Sequence, residues 1–119
     1  MPAEQPLTAA EIAQRLSELP GWVHDGSVLR RTYKTDGWPT TLMLVNAIGF
    51  YAEAADHHPD LQVSWGRVTI SLRTHSARGI TPKDFELARL LEQAALWRPG
   101  AASTLRGTPK QFVMPADPA

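Results

Sequence analysis

The chain has 119 residues, of which 43% are hydrophobic and 20% are charged, a composition typical of one soluble globular domain. Twelve basic and twelve acidic side chains give a formal net charge of zero, so no overall charge directs the protein to nucleic acid or to a membrane surface. The sequence has no cysteine, which excludes disulfides, thiolate metal sites and cysteine nucleophiles.

The chain begins with a loose lead over residues 1–7 and a predicted helix. Thr8 and Glu11 have the spacing of a capping box, in which each side chain bonds the backbone N–H of the other. Pro20-Gly21 is expected to end the apolar helical pattern that follows. The lead has no apolar run of a signal peptide and no stretch reaches the roughly 18 apolar residues of a membrane span, so we expect a cytoplasmic protein.

A β-hairpin is predicted next. Residues 22–24 and 27–33 have strand composition, and Asp25-Gly26 between them favours a type I′ turn. The second strand is interpreted as a solvated edge strand protected by charge. Its basic side chains are Arg30, Arg31 and Lys34.

A second helix is predicted from about Thr40 to Asp56, with Pro39 in its first turn. Its apolar residues fall on nearly all sides, which indicates a helix buried on more than one face. One face comprises Leu42, Leu44, Val45, Ile48 and Tyr51, and the other contains Met43, Ala47 and Phe50. Another subunit is the simplest cover for the second face, so we expect a homo-oligomer.

A second hairpin and a last helix complete the pattern. Residues 61–65 and 68–72 alternate apolar and polar around a turn at Gly66, and Trp65 is expected to continue the apolar face into the core. Thr81 and Asp84 then form a second capping box. The predicted order α-β-β-α-β-β-α is that of an α+β domain over residues 8–98: a four-stranded antiparallel sheet with helices on one face. Residues 99–119 form a tail rich in Pro, Ala and Thr.

Three histidines are the most informative residues for function. His57 and His58 precede Pro59, which must end the second helix, and His75 ends the last strand on its polar face. Imidazoles exchange protons near neutral pH, so a group of them suggests general acid–base chemistry, with Glu53, Asp56 or Asp84 available to orient a ring. The alternative is that they are ordinary surface or capping residues.

A physiological metal site is disfavoured, because the adjacent side chains of His57 and His58 diverge and no H-E-x-x-H pattern is present. The sequence also has no G-x-G-x-x-G, P-loop or G-x-S-x-G motif. Nucleic-acid binding is disfavoured by the zero net charge and by the lack of a basic groove with stacking aromatics.

The series Glu53-x-x-x-His57-His58-Pro59, followed by Trp65, His75 and Asp84, resembles the signature of the pterin-4a-carbinolamine dehydratases, and the resemblance extends over residues 53–92. It implies dehydration of 4a-hydroxytetrahydrobiopterin to quinonoid dihydropterin, which recycles the cofactor of aromatic amino-acid hydroxylases. No metal or organic cofactor is implied, since the pterin is the substrate. The family also implies a homodimer or a homotetramer.

The resemblance implies the roles of the site residues as well. His57 and His75 are expected to transfer protons, with His58 more involved in binding. Glu53 and Asp84 are expected to support the histidines, and Asp84 fits a helix-capping role equally well. The residues expected to contact the pterin are His57, His58, Pro59, Thr74, His75, Ser76 and Ala77.

Two features depart from the family pattern: the entry to the second helix, residues 38–41, and the long tail, which Val113 and Met114 could anchor. The alternative function is a non-enzymatic binding module, because the family resembles proteins that act as a dimerisation cofactor or as an assembly factor for a protein partner. The intact histidines favour the enzyme, since a scaffold has no need of them.

Overall fold

The computed structural model describes residues 5–115, so residues 1–4 of the predicted lead and 116–119 of the predicted tail lie outside it. The predicted α+β class and the order of elements are confirmed. The elements are α1 (Ala9–Leu16), β1 (Val23–Asp25), β2 (Val28–Lys34), α2 (Trp38–Ala55), β3 (Asp60–Ser64), β4 (Arg67–Leu72), a 3-10 turn (His75–Ala77) and α3 (Pro82–Leu96). Within the described residues, no helix has the length and apolar character that crossing a membrane requires.

The four strands form one antiparallel sheet in the order β1-β2-β4-β3. Alternate side chains of β2 and β4 are buried, and they pack with the inward faces of the three helices into a single core. The fully buried members of this core include Leu29, Tyr33, Val68, Ile70, Leu72, Phe85 and Ala88. Polar side chains occupy the other face of the two strands.

Both predicted capping boxes are present. In α1 the Glu11 N–H donates to Thr8 Oγ1 (3.2 Å) and the Thr8 N–H donates to Glu11 Oε1 (2.9 Å). The helix ends at Leu16, before the predicted stop at Pro20, because Ser17 already closes its last turn. In α3 the Thr81 N–H donates to Asp84 Oδ2 (2.9 Å), which fixes the start of that helix beside the end of β4.

The first hairpin forms where the sequence predicts it, but its turn is different. Asp25 pairs with Val28, so Gly26 and Ser27 are the central residues. Only Gly26 has a positive φ, +62°, as the first position of a type II′ turn requires, whereas a type I′ turn needs positive φ at both positions.

Two predictions about burial are wrong, because a local pattern does not show which strand is central or where a strand ends. Arg31 lies on a central strand and is only 4% exposed, paired with Glu92 of α3, so β2 is not a solvated edge strand. Trp65 lies in the β3–β4 turn and is 69% exposed. Its indole packs over Gly37, where an added Cβ would lie 3.2 Å from the ring.

Helix α2 starts at Trp38, two residues before the predicted start, because Gly37 is its N-cap and the Thr41 N–H donates to the Gly37 carbonyl (3.0 Å). The assignment of its faces is partly wrong. Leu44 and Ile48 are buried as expected, but Leu42 is exposed and belongs with the outward residues.

The described part of the tail returns to the sheet. Val113 forms an antiparallel bridge with Thr35, and the Met114 N–H donates to the Lys34 carbonyl (2.9 Å). β1 has only three residues, so this segment pairs with the end of β2 that β1 does not reach. The edge of β2 is therefore covered by β1 at its start and by the tail at its end.

Candidate active site

The two adjacent histidines lie in the connection between α2 and β3. Asp56 adopts a left-handed conformation (φ +53°) after the last turn of α2, and the His57 N–H donates to the Ala52 carbonyl (3.1 Å). This helix-ending geometry and the following Pro59 turn the chain sharply towards β3. The His57 side chain is consequently directed towards α3.

His57 is held by a buried carboxylate. His57 Nε2 lies 2.6 Å from Asp84 Oδ1, and Asp84 is 0% exposed. The other oxygen, Oδ2, accepts from Thr74 Oγ1 (2.8 Å) and from the Thr81 N–H (2.9 Å). Because a carboxylate oxygen accepts hydrogen bonds, the His57 ring donates its proton from Nε2 to Asp84. The other ring nitrogen, Nδ1, is left for another partner.

Asp84 therefore combines the two roles that the sequence left open. It closes the capping box of α3 through the Thr81 N–H, and it fixes the His57 ring through its other oxygen. Thr74, at the end of β4, donates its hydroxyl proton to the same carboxylate. The carboxylate thus joins the ends of α2, β4 and α3 at one point.

His58 has an acidic neighbour of a different kind. His58 Nε2 lies 2.8 Å from Glu53 Oε1, but Glu53 is 83% exposed and the imidazole is also largely in solvent. An exposed pair of this sort is screened by water and contributes about 0–1 kcal/mol. Glu53 therefore orients His58 much less firmly than Asp84 orients His57.

His75 begins the short 3-10 turn that follows β4, and it is exposed. The loop is closed at its base by the bridge between Thr74 and Gly79, where the Thr74 N–H donates to the Gly79 carbonyl (3.0 Å). Arg78 adopts the left-handed conformation (φ +56°) that ends the turn. Within residues 5–115 the His75 ring has no hydrogen-bond partner, so both of its nitrogens are available to a ligand.

Strand register explains how these residues are brought together. The β3–β4 ladder ends at the pair of Asp60 and Ser71, so the connection that carries His57 and His58 enters β3 beside the end of β4. His57 and Thr74 do converge, since both reach Asp84.

A cleft of about 320 Å³ opens beside His57. It lies between the end of α2 and one side of α3, and it extends the candidate site onto a helix face that the sequence analysis did not assign to the site. The side chains that line it from α3 are Lys83, Glu86, Leu87 and Leu90. Their i, i+3, i+4, i+7 spacing puts them on one side of α3, but Lys83 and Glu86 are charged, so hydrophobic periodicity gives no signal for this stripe.

The predicted pterin-contacting residues fall into two segments on either side of Asp84. His57 to Pro59 are in the α2–β3 connection, and Ser76 and Ala77 are in the 3-10 turn with His75. The Thr74 side chain is buried and is already committed to Asp84 and Thr81. In residues 5–115, no group of three His, Asp or Glu side chains is placed to hold a metal ion.

Comparison with known proteins places this arrangement in a family. Residues 5–94 match the family model described as pterin 4 alpha carbinolamine dehydratase. Two curated relatives carry the name "Putative pterin-4-alpha-carbinolamine dehydratase". The one from Roseiflexus sp. (strain RS-1) is 44% identical, and the match covers 73% of this chain and 94% of the relative. The one from Nocardia farcinica (strain IFM 10152) is 39% identical, and the match covers 75% of this chain and 94% of the relative.

A solved structure agrees with this placement. The crystal structure of a transcriptional coactivator/pterin dehydratase from Brucella melitensis superposes with a TM-score of 0.69 at 34% identity, covering 73% of this chain and 95% of that one. The family model ends before the tail, which starts at residue 99. The chain therefore belongs to the pterin 4 alpha carbinolamine dehydratase family.

Proposed function

We propose that the protein dehydrates 4a-hydroxytetrahydrobiopterin to quinonoid dihydropterin by histidine acid–base catalysis. The observation that carries this proposal is the buried Asp84 carboxylate, which fixes one tautomer of His57 next to the loop that carries His75. A scaffold that only binds another protein has no use for a ring oriented in this way. Family membership supports the same reaction.

The reaction needs one acid and one base. The bond between C4a and its hydroxyl oxygen breaks, and the departing oxygen takes a proton from the acid to leave as water. The base removes the N5 proton, and the electron pair left on N5 forms the C4a–N5 double bond. Atoms and charge balance without an oxidant or a reductant, and two imidazoles of opposite protonation state can perform both transfers near neutral pH.

We assign the base to His57. Its Nε2 proton is engaged by Asp84, so Nδ1 can accept the N5 proton, and the buried carboxylate then stabilises the resulting imidazolium. His75 is assigned as the acid, because its ring is exposed and has no partner within residues 5–115. His58 is assigned to binding, together with the backbone of Pro59, Ser76 and Ala77.

The proposal is tested by stopped-flow absorbance of 4a-hydroxytetrahydropterin decay. We expect wild-type protein to accelerate the decay, and His57→Ala and His75→Ala each to lower kcat by about 10²–10⁴-fold. His58→Ala should act mainly on KM. Circular dichroism would show that the variants are folded, and His24→Ala, a histidine on β1, provides the matched control.

Failure of wild-type protein to exceed the spontaneous rate would refute the enzymatic proposal. The second candidate function is then a partner-binding module, which the exposed apolar face of α2 favours. The Brucella protein is described both as a transcriptional coactivator and as a pterin dehydratase, so the two functions are compatible in one fold. The cytoplasmic location stays a prediction from the sequence, and the functional link to an aromatic amino-acid hydroxylase stays a prediction from the family resemblance.

A further inference from the structure

Thr74 is a buried residue that connects the surroundings of two histidines, one through its backbone and the other through its side chain. Its N–H donates to the Gly79 carbonyl (3.0 Å), which closes the base of the turn that begins with His75. Its hydroxyl donates to Oδ2 of Asp84 (2.8 Å), the carboxylate that holds His57. Thr74 is only 3% exposed, so its hydroxyl acts inside the protein rather than on a ligand.

This hydroxyl belongs to a chain of hydrogen bonds that begins at the first turn of α3. The Lys83 N–H donates to Thr81 Oγ1 (3.3 Å), which lies 2.7 Å from Thr74 Oγ1. A threonine hydroxyl has one hydrogen, and Thr74 gives its hydrogen to Asp84, because a carboxylate accepts. The Thr81 hydroxyl must therefore donate to Thr74. The chain runs in one direction, and the His57 ring donates to its end from the other side.

The chain leaves the Asp84 carboxylate little freedom to turn. Oδ2 accepts from the Thr74 hydroxyl at the end of β4 and from the Thr81 N–H at the start of α3. Two donors from different elements fix this oxygen, so Oδ1 has one position, facing His57 Nε2. Without the Thr74 hydroxyl, Oδ2 keeps one of these donors, and the carboxylate can rotate about its Cβ–Cγ bond.

We propose that Thr74 is a positioning residue that holds His57 and His75 at a fixed spacing for proton transfer. Its side chain holds the His57 ring through Asp84, and its backbone holds the turn that carries His75. This inference rests on the proposed function. An acid at the C4a hydroxyl and a base at N5 act on neighbouring atoms of one substrate, so the distance between them must be kept.

Substitutions at Thr74 separate the hydroxyl from the shape of the side chain. Thr74→Val removes the hydroxyl at nearly the same volume, and Thr74→Ser keeps the hydroxyl without the methyl group. We expect Thr74→Val to lower kcat by about 10-fold or more with KM changed by less than about 3-fold, and Thr74→Ser to restore most of kcat.

Thr41→Val is the matched control. Thr41 is also fully buried, and its hydroxyl bonds Thr35 Oγ1 (2.7 Å) and the Trp65 carbonyl (2.9 Å). It lies at the start of α2, whereas His57 follows the end of that helix. The control therefore loses a buried hydroxyl of the same kind and should keep kcat within about 3-fold of the wild type.

Proton NMR of the His57 ring gives a second readout that needs no substrate. A ring N–H held by a buried carboxylate exchanges slowly with water and gives a downfield signal, which His57→Ala identifies by its loss. We expect this signal in wild type, Thr74→Ser and Thr41→Val, and its loss through exchange in Thr74→Val. Circular dichroism shows which variants fold. Thr74→Ala, which adds no bulk, replaces the valine variant if that protein does not fold.

Several results would overturn the inference. One is a wild-type protein without a protected His57 N–H signal, and another is a Thr74→Val variant that keeps both kcat and the signal. Equal losses in Thr74→Val and Thr41→Val would assign the effect to general stability. A folded Thr74→Ser variant that stays as impaired as Thr74→Val would show that the hydroxyl is not the acting group.

These outcomes also distinguish the inference from the proposed function. If the His57 signal depends on the Thr74 hydroxyl but wild-type protein does not accelerate the reaction, the enzymatic proposal fails and the chain that holds His57 stands. If His57→Ala loses activity while Thr74→Val keeps both kcat and the signal, the enzyme stands and the inference about Thr74 fails.

Discussion

Two carboxylates that each touch a histidine differ in burial, and burial decides what each can do. Asp84 is enclosed, and its hydrogen bonds are fixed by Thr74 and by the start of α3. Glu53 holds His58 from an exposed position on α2, where water competes for both groups. A ring orientation that catalysis depends on requires the first kind of contact.

The acid-to-amide substitution at both positions measures this difference. We expect Asp84→Asn to lower kcat by about 100-fold or more, because an amide facing His57 favours the tautomer with its proton on Nδ1, and that nitrogen can then no longer accept. Glu53→Gln should change kcat by less than about 3-fold. Stopped-flow kinetics on the two folded variants gives the comparison, and equal effects would contradict the special role of Asp84.

At the scale of elements, a polar cluster joins α3 to the sheet. It lies near the C-terminal end of the helix, far from the histidines. Glu92 accepts from Arg31 Nε (2.9 Å), from the Tyr33 hydroxyl (2.5 Å) and from Trp22 Nε1 (2.9 Å). The Arg31 guanidinium also lies 4.1 Å from the centre of the Tyr33 ring. With Asp84 at the first turn and Glu92 near the last, α3 is fixed to the sheet at both ends.

The cluster sets the ionisation of its members. Burial by itself would raise the pKa of Glu92, but hydrogen bonds from Arg31 and Tyr33 and the charge of Arg31 outweigh it and hold the pKa below its usual value of 4.5. Burial and the bond to Glu92 raise the pKa of the Tyr33 hydroxyl well above its usual value. The folded state therefore favours a charged Glu92 and a neutral Tyr33.

Replacement of Glu92 tests the stabilising role of this cluster. Glu92→Gln leaves Arg31 buried without a counter-charge and should lower the free energy of unfolding at pH 7 by about 3 kcal/mol. The lowered pKa of Glu92 means that its contribution is complete above pH 4.5 and is lost as pH falls through the folded-state value. The wild type should therefore lose more stability on acidification than the variant does.

Urea unfolding at pH 7 and at about pH 3 measures both effects. Glu86→Gln, an exposed acid on the same helix, is the control and should change stability by less than about 0.5 kcal/mol. Identical acid sensitivity in wild type and Glu92→Gln would show that Glu92 is not the titrating group.

At the scale of the whole molecule, the single chain leaves one side of α2 uncovered. Met43, Ala47, Phe50 and Ala54 follow each other at helical spacing, and Phe50 is 71% exposed. The zero formal net charge does nothing to keep such surfaces apart. The predicted homodimer or homotetramer would bury this stripe.

We expect light scattering to give the molar mass of an oligomer for the wild type and a smaller mass for Phe50→Glu, because a charge in an apolar contact is poorly tolerated. Leu105→Glu is the matched control, since Leu105 is another exposed apolar residue, on the tail. A monomeric wild type, or a Phe50→Glu variant with unchanged mass, would argue against an interface on α2.

The sequence by itself determined those features of this protein that depend on neighbouring residues. The capping pairs Thr8–Glu11 and Thr81–Asp84 span three positions, strand alternation spans two, and Pro59 acts on the residue before it. These short-range rules were enough to predict the order of elements. They also placed the three histidines at the ends of elements, where side chains can meet a ligand.

The tertiary structure alone decided what depends on strand order and register. Nothing local marks β2 as a central strand, so Arg31 was expected in solvent and is in fact paired with Glu92, 61 positions along the chain. The contact between His57 and Asp84 joins residues 27 positions apart. Such contacts are set by the packing of whole elements, because only packing determines which distant side chains share one buried space.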